Sequence, residues 1–422
     1  MGNQWGLGLH FIIVTIFLVA TTNTCFGARK NSTVACLEHE RLALLKFKHS
    51  VTDDYDMLSS WVGNNCCRWE RVMCDDVTGN VVSLHLRGGD SFDDYEPLVS
   101  NEDLSMNRFQ GSRIPKFIGS LKELTYLNLS YAKFSGIIPH HIGNLSNLIT
   151  LDLSSNDYNE NLLFIHDMAW ISGLSSLEHL NLGWVNLRGA KNLDMVLYII
   201  PLLKELRLRG CGLSNVDLGP LRNSSTSLSN IKHLDHSENS FKGQPPPFIQ
   251  NMTSLQFLDL SLFNFSLTWN FATLISMVPS LLELHLSSCN LEQTYLSHSH
   301  LNFTTLSNIQ HLDLSHNFFP GRFPSFFANM TSLRVLDLSA SSLNASVPVM
   351  PNLLELDLSA NNFKKFEDVG IWRQCHLKKV SVNNNAFYME LTDSITNISE
   401  CSQHALEMLV LQFSLMVHFP NP

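Results

Sequence analysis

The side chains that could do chemistry recur at regular intervals along this chain. His179, Glu205 and His233 follow one another at intervals of 26 and 28 residues. Imidazole and carboxylate groups are metal ligands, and pairs of aspartates could act as a general acid and base. Recurring aspartates that could form such pairs are Asp235, Asp259, Asp313, Asp337 and Asp357. Periodic residues mark a repeated structural unit before they mark a reaction centre, so we predict no catalytic residues and no metal site.

The sequence contains no kinase, nucleotide-binding or zinc-hydrolase motif, and we therefore predict a protein that is not an enzyme and needs no cofactor. The formal net charge is -10 and no basic stripe is present, which argues against nucleic acid as a partner. The 18 histidines would gain charge near pH 5.5, but we interpret them as dispersed surface residues.

The repeated unit is clearest at residues 148–156, which read L-x-x-L-x-L-x-x-N. In a short strand, alternation places Leu151 and Leu153 on the buried side and Asp152 and Ser154 on the exposed side. A unit this small cannot bury its apolar side alone, so copies of it must stack.

Copies of this unit recur in steps that are mostly 24 to 29 residues long, which is the range of leucine-rich repeats. The first position of each L-x-L pair is occupied by Leu84, Leu127, Leu151, Leu180, Leu206, Leu234, Leu258, Leu284, Leu312, Leu336, Leu356, Val380 and Leu409. The sequence therefore predicts an α/β protein that is mostly β, a leucine-rich-repeat solenoid. We expect a right-handed curved superhelix with a parallel β-sheet on its concave face.

Three segments are predicted. Residues 1–27 have the apolar run and the small residues of a secretory signal peptide. Residues 28–80 form a separate cap, in which Glu38 to Ser50 reads as an amphipathic helix with Leu42, Leu45 and Phe47 among its apolar residues. Residues 81–422 hold about 12–13 repeats without a C-terminal cap.

The repeat near residues 88–110 is incomplete, because Leu84 and Leu127 are 43 residues apart with only one imperfect copy, at 102–109, between them. Either a loop with acidic residues bridges this gap, or the sequence has lost part of a repeat. The broken period favours the second explanation.

Residues 36–48, 58–61 and 66–74, which read CLEHERLALLKFK, LSSW and CCRWERVMC, resemble the N-terminal cap of plant extracellular leucine-rich-repeat proteins. The resemblance implies disulfide bonds between Cys36 and Cys66 and between Cys67 and Cys74. Such bonds would staple a piece of chain too small to hold itself.

Segments such as FSGIIP at 134–139 resemble the plant-type continuation of the repeat, in which glycine relaxes the turn and proline fixes the extended backbone. The mixture of 24-residue and longer repeats is similar to plant receptor-like proteins, especially the type that perceives fungal xylanase. The segments around Cys375 and Cys401 look like the same group, which supports a disulfide bond between them. No membrane span or cytoplasmic tail follows, so we expect a truncated receptor.

Three residues occupy unusual positions in the repeat. Cys211 and Cys289 stand where Asn239 stands in its own repeat, and a buried thiol can replace the asparagine as a weak donor. We predict that both thiols are free and structural. His236 occupies an inward position that leucine holds elsewhere, and we interpret it as a weak point of the stack.

Large outward side chains predict a binding surface. Trp184, Arg207 and Arg209 fall on adjacent repeats, and tryptophan with arginine is typical of interaction hot spots, although random variation of exposed positions explains them equally well. The predicted ligand-binding residues are Tyr126, Tyr131, His179, Asn181, Trp184, Arg207, Arg209, His233, Phe257, His285 and His311, with His316 as a further large outward side chain.

Ten N-x-S/T sequons predict a glycosylated extracellular protein. They are at Asn31, Asn128, Asn144, Asn223, Asn251, Asn264, Asn302, Asn329, Asn344 and Asn397. The resemblance implies recognition of a microbial or wall-derived ligand (a protein, peptide or glycan) in plant defence. A co-receptor kinase would signal if the full-length form is anchored in the plasma membrane, and otherwise the chain is secreted to the apoplast. The alternative is a secreted inhibitor of a microbial wall-degrading enzyme, similar to polygalacturonase inhibitors.

Overall fold

The structure is a computed structural model that describes residues 34–88, 109–154, 163–193, 200–217, 228–243, 247–265, 277–292, 308–321, 330–364, 369–387 and 405–410, together with residues 274, 323 and 327. The helix α1 spans Glu38–Ser50. Short 3-10 helices span Cys66–Arg68, Lys116–Ser120, His140–Asn144, Ala169–Gly173, Pro247–Asn251 and Ile371–Arg373. The strands are β1 Val72–Cys74, β2 Val81–His85, β3 Tyr126–Asn128, β4 Gly136–Ile137, β5 Thr150–Asp152, β6 Leu163–Phe164, β7 His179–Asn181, β8 Glu205–Arg207, β9 His233–Asp235, β10 Lys242–Gly243, β11 Phe257–Asp259, β12 Asn264–Phe265, β13 Glu283–His285, β14 His311–Asp313, β15 Val335–Asp337, β16 Glu355–Asp357, β17 Lys379–Ser381 and β18 Met408–Val410.

One long sheet organises the described residues, in the order β1-β2-β3-β5-β7-β8-β9-β11-β13-β14-β15-β16-β17-β18. The β1–β2 pair is antiparallel, and every later pair is parallel. Each three-residue strand pairs with the next in the same register, so that Leu151 lies between Leu127 and Leu180. The predicted leucine-rich-repeat solenoid is confirmed.

In the long sheet, the middle residue of each strand from β3 to β17 points into the core, as the L-x-L pattern predicts. Leu151, Leu153 and the preceding Leu148 have no exposed surface. Ser154, which we predicted to be exposed, is 4% exposed. Its amide N–H and its hydroxyl both donate to Oδ1 of Asp152, at 2.9 and 2.7 Å, and this draws the serine under the turn.

The two predicted free thiols are confirmed. Cys211 and Cys289 are buried and unpaired, and burial raises the pKa of each thiol well above its usual value. The Sγ of Cys211 lies 3.1 Å from the carbonyl of Leu182, and the equivalent contact of Cys289 is 3.2 Å. In its own repeat Asn239 donates to the carbonyl of Leu208 at 2.7 Å, so thiol and amide fill the same role.

The N-terminal cap packs on the first repeat through one face of α1. Its buried residues are Glu40, Ala43, Leu44 and Phe47, whereas Leu42, which we counted among the apolar residues of the helix, is 44% exposed. The spacing i, i+3, i+4, i+7 defines the buried face, and Leu42 falls outside it. The carboxylate of Glu40 accepts a 2.8 Å hydrogen bond from the amide of Val81, which ties the helix to β2.

Both predicted cap disulfides are present. Cys36 bonds to Cys66 and Cys67 bonds to Cys74, with Cα atoms 5.3 and 5.4 Å apart. Cys375 is also disulfide-bonded, whereas Cys401, its predicted partner, lies outside the described residues.

The interrupted period between Leu84 and Leu127 leaves no gap in the sheet. β2 pairs directly with β3, so that Ser83 lies opposite Tyr126. Phe109, at the end of the imperfect copy, is buried and lies 5.1 Å from the ring of Phe134. The residues between Gly88 and Phe109 lie outside the described part of the chain.

Several sequence predictions fall outside the described residues, namely the signal peptide at 1–27 and the sequons at Asn31, Asn223, Asn302, Asn329 and Asn397. Asn144, Asn264 and Asn344 are exposed and lie outside the long sheet, and Asn251 is half-buried. Asn128 is 8% exposed and its side chain holds Ser130 at 2.7 Å, so it is the least accessible of the described acceptors. Within the described residues, no helix has both the length and the apolar character that a membrane crossing requires.

Candidate ligand-binding face

The first and third residues of the parallel strands in the long sheet form one surface, which we call the exposed sheet face. Because the strands are in register, equivalent residues form two columns with neighbours about 4.8 Å apart. The first-position column from β3 to β14 is Tyr126, Thr150, His179, Glu205, His233, Phe257, Glu283 and His311. The third-position column over the same strands is Asn128, Asp152, Asn181, Arg207, Asp235, Asp259, His285 and Asp313.

Eight of the predicted binding residues lie in these columns: Tyr126, His179, Asn181, Arg207, His233, Phe257, His285 and His311. Tyr131, Trp184 and His316 do not. Their φ angles are 56°, 64° and 55°, which places them in a left-handed turn after the strand. The amide of Trp184 donates to the carbonyl of Arg209 in the next repeat, so these turns stack along one edge of the face.

Trp184 and Gly210 occupy the same turn position in neighbouring repeats. A Cβ atom added to Gly210 would lie 2.7 Å from the indole of Trp184, so the ring covers the glycine backbone. Arg209 forms an ion pair with Glu238, and the arginine side chain is 50% exposed. Trp184 and Arg209 therefore lie at the edge of the face and are partly engaged within the protein, whereas Arg207 lies in the third-position column.

His179, Glu205 and Arg207 form one cluster on the face. The Nδ1 atom of His179 lies 3.0 Å from Oε2 of Glu205, and Nε of Arg207 lies 2.5 Å from Oε1 of the same carboxylate. Burial opposes ionisation of Glu205, but the hydrogen bond from His179 and the charge of Arg207 lower its pKa to about 2.

His233 does not join that cluster, although the sequence places it in the same column. Its ring stacks on Phe257, with centroids 3.8 Å apart and an angle of 2° between the planes. Burial, together with the nearby Arg207 charge, lowers the pKa of His233 to about 4. Of the possible metal ligands, His179 and Glu205 are therefore in contact, whereas His233 is held by Phe257 instead.

Rings continue along the face beyond this stack. Phe257 lies 5.2 Å from His285, and His285 lies 4.8 Å from His311, measured between ring centroids. The four rings, from His233 to His311, span β9 to β14 and form a continuous row of apolar and polar surface, because one imidazole or phenyl ring stands on each successive strand.

Glu283 lies at the centre of a second charged cluster. Its Oε1 atom is 2.8 Å from Nε2 of His285 and 3.0 Å from Nδ1 of His311. These hydrogen bonds hold the pKa of Glu283 far below its usual range. Although burial opposes its charge, hydrogen bonds to Asp313 and Glu283 raise the pKa of His285 to about 10.

The recurring aspartates serve the turns. Oδ1 of Asp235, Asp313 and Asp357 each accepts the amide N–H of the serine two residues later, at 2.8 to 2.9 Å. Burial and the neighbouring Asp235 raise the pKa of Asp259. Each carboxylate holds its own turn, which accounts for the repetition without acid–base chemistry.

The candidate binding residues did not include Glu205, Glu238 and Glu283; Glu205 and Glu283 lie in the first-position column, and Glu238 lies in the turn after β9. All three glutamates stand at outward positions of their repeats. Each neutralises a predicted residue: Glu283 contacts two histidines, and Glu205 and Glu238 each contact an arginine. A search for opposite charges at register-matched positions would have found them.

The sequence also matches two family models. The model described as leucine-rich repeat region matches residues 98–409, and the model described as leucine rich repeat N-terminal domain matches residues 37–75. The chain is similar to the receptor-like proteins EIX1 and EIX2 of Solanum lycopersicum. It is 38% identical to EIX1 over 59% of this chain and 26% of that protein, and 31% identical to EIX2 over 97% of this chain and 36% of that protein. It therefore spans between a quarter and just over a third of these relatives.

Among solved structures, the chain is similar to the Arabidopsis receptor kinase HAESA, whose leucine-rich-repeat ectodomain was determined with an IDA peptide hormone ligand. The TM-score is 0.58 with 25% identity, over 83% of this chain and 54% of that chain. A HAESA structure with the peptide hormone and the co-receptor SERK1 has a TM-score of 0.59. The chain thus belongs to the leucine-rich-repeat family and, within it, is a relative of the plant receptor-like proteins.

Proposed function

We propose that this chain recognises a microbial or wall-derived ligand in plant defence and binds it on the exposed sheet face. The observation that carries the proposal is the row of rings and charges that runs from His179 to His311 across consecutive strands. The ring stack supplies rigid contact area, and the flanking carboxylates and arginines supply directional hydrogen bonds. A protein or peptide could lie along such a row, and a glycan could stack on its rings.

Two further features support this assignment. The relatives are receptor-like proteins and receptor ectodomains, and the HAESA ectodomain binds a peptide hormone together with a co-receptor. The exposed sequons Asn144, Asn264 and Asn344 stand away from the long sheet, so glycans there would leave the row accessible. We infer that the protein acts in the apoplast or at the cell surface, and that a partner kinase carries any signal.

A binding measurement on two matched phenylalanine variants tests this proposal. Phe257 belongs to the ring row, whereas Phe318 is 54% exposed and lies outside the long sheet, in an isolated bridge with Glu292. Immobilised glycosylated protein would be titrated with purified fungal xylanase by surface plasmon resonance. We expect Phe257→Ala to weaken binding at least tenfold and Phe318→Ala to leave it unchanged. Equal affinities in both variants would refute the use of this face.

The same titration separates the receptor from the inhibitor. Hydrolysis of xylan by the bound enzyme is measured in parallel. Retained hydrolase activity at saturating protein supports the proposed receptor role, in which the ligand is sensed. Complete loss of activity supports the alternative, a secreted inhibitor of a wall-degrading enzyme.

A further inference from the structure

Glu283, His285, His311 and Asp313 occupy a two-by-two block on the exposed sheet face. Glu283 and His285 are the first and third residues of β13, so both point to the same side of the sheet. On the adjacent strand, His311 lies opposite Glu283 and Asp313 lies opposite His285. The block therefore gathers two imidazoles and two carboxylates on two neighbouring strands.

The ligand atoms of three of these residues already converge. One ligand atom from each of Glu283, His285 and His311 lies within 4.8 Å of the ligand atoms of the other two. Zinc bonds to nitrogen and carboxylate oxygen are about 2.0 to 2.2 Å long, which sets ligand atoms about 3.3 Å apart in a tetrahedron. The two Glu283 contacts, at 2.8 and 3.0 Å, need to open by less than about half an ångström.

Asp313 supplies the outer partner that metal-bound histidines require. Its Oδ2 atom lies 3.5 Å from Nδ1 of His285, on the opposite side of the ring from Glu283. When a metal displaces the proton from Nε2, a carboxylate in that position holds the proton on Nδ1 and orients the ring. Asp259, on the other neighbouring strand, adds negative charge near the same imidazole.

We propose that Glu283, His285 and His311 form a binding site for a divalent transition metal such as Zn²⁺, with the fourth coordination position open on the exposed sheet face. The ligand side chains are 36%, 18% and 33% exposed, so the site is partly enclosed but reachable. A carboxylate or imidazole of a bound partner could occupy the open position. The site would then join a metal to the recognition surface.

The chain contains its own control for this idea. The earlier residues His179, Glu205 and His233 have the same side-chain types, but all three lie in the first-position column. There the third position of β8 is Arg207, whose guanidinium pairs with Glu205, and His233 stacks on Phe257. The guanidinium cation beside the carboxylate repels a metal ion, and the stacked ring is held by its aromatic neighbour. This earlier group should therefore not bind a metal.

The test is isothermal titration of the untagged full chain with ZnCl₂ alone, supported by the visible spectrum of the Co²⁺-substituted protein. We expect His285→Ala, His311→Ala and Glu283→Gln each to remove one binding site and the tetrahedral Co²⁺ bands. We expect His179→Ala to change neither, and Asp313→Asn to weaken binding about 10- to 100-fold.

Glu283→Gln keeps the shape of the side chain, so it tests the site even if His285→Ala fails to fold. Retention of the same zinc stoichiometry in Glu283→Gln would overturn the proposal. Equal loss of zinc in His179→Ala and His311→Ala would overturn it as well, because binding would then be spread over surface histidines. Failure here leaves the xylanase binding measurement with Phe257→Ala unaffected, so the two proposals fail separately.

Discussion

Replacement of His236 by leucine should stabilise the protein. His236 follows β9 at the inward position that Leu153 and Leu260 fill in their repeats, and it is 3% exposed. Within the described residues neither ring nitrogen has a hydrogen-bond partner. The ring instead meets Phe241 and Phe248 edge-on, with centroids 5.7 and 6.0 Å away.

The size of the effect follows from the unpaired nitrogens. A buried polar group without a hydrogen bond costs about 1–3 kcal/mol, and leucine fills the position without that penalty. At pH 7.5 we therefore expect His236→Leu to raise the free energy of unfolding by about 1–3 kcal/mol. The aromatic contacts with Phe241 and Phe248 offset part of the gain, which places the expected value toward the lower end.

A lower pH should increase the difference in free energy of unfolding between His236→Leu and the wild type. Burial lowers the pKa of His236 to about 4 in the folded protein, whereas an unfolded histidine titrates near about 6.5. The unfolded chain therefore binds the proton first, and wild-type stability falls as the pH drops below about 6.5 until the loss is complete below about 4. Linkage gives a loss of about 1.4 kcal/mol at pH 5.5, which His236→Leu does not suffer.

The assay is urea unfolding of both proteins at pH 7.5 and pH 5.5, followed by circular dichroism. His376→Leu, a matched substitution at an exposed histidine, is the control, and it should leave the pH dependence of the wild type intact. A difference between His236→Leu and wild type that is the same at both pH values would refute the reasoning. So would a variant that is less stable than wild type.

Three other perturbations have definite expected outcomes. The side-chain amide of Asn317 bonds two backbone N–H groups and three backbone carbonyls at 2.8 to 3.1 Å. Asn317→Ala leaves these groups without a partner and should lower the free energy of unfolding by about 3 kcal/mol or more. A urea midpoint equal to that of the wild type would contradict this. Gly143→Ala places a Cβ atom 2.3 Å from the carbonyl oxygen of Trp170, and a loss of about 1–3 kcal/mol is expected in the same assay, whereas a neutral result would mean that the backbone relaxes freely. Joint replacement of Cys36 and Cys66 by alanine opens a loop with a sequence separation of 30. It should lower the free energy of unfolding by about 3–4 kcal/mol relative to the wild type under oxidising conditions. An unchanged urea midpoint would show that packing alone holds the cap.

The cap shows why even a recognised motif leaves details open. The helical pattern predicted α1, and the resemblance to plant leucine-rich-repeat caps implied both disulfides. Helical periodicity did not predict that Leu42 would face solvent while Glu40 is buried, because that choice depends on the amide of Val81, which is 41 residues away. Long-range hydrogen bonds of this kind leave no trace in a local pattern.

The sequence by itself determined the repeat register, the parallel sheet, the inward leucines and the structural thiols Cys211 and Cys289. These features follow from a pattern that recurs in every repeat, so an irregular copy can still be aligned with its neighbours. The eight face residues were predictable for the same reason, since strand alternation assigns each outward position to the same side of the sheet.

Only the tertiary structure decided how the outward side chains combine. His233 and His311 hold equivalent positions, yet one stacks on Phe257 and the other bonds Glu283. The difference arises from the neighbour on the next strand, because a side chain there lies about 4.8 Å away in space although it is more than 20 residues away in sequence. Trp184 likewise leaves the face because its backbone turns left-handed. The repeat pattern specifies the side of the sheet on which each side chain lies, and contacts between repeats determine which groups it binds.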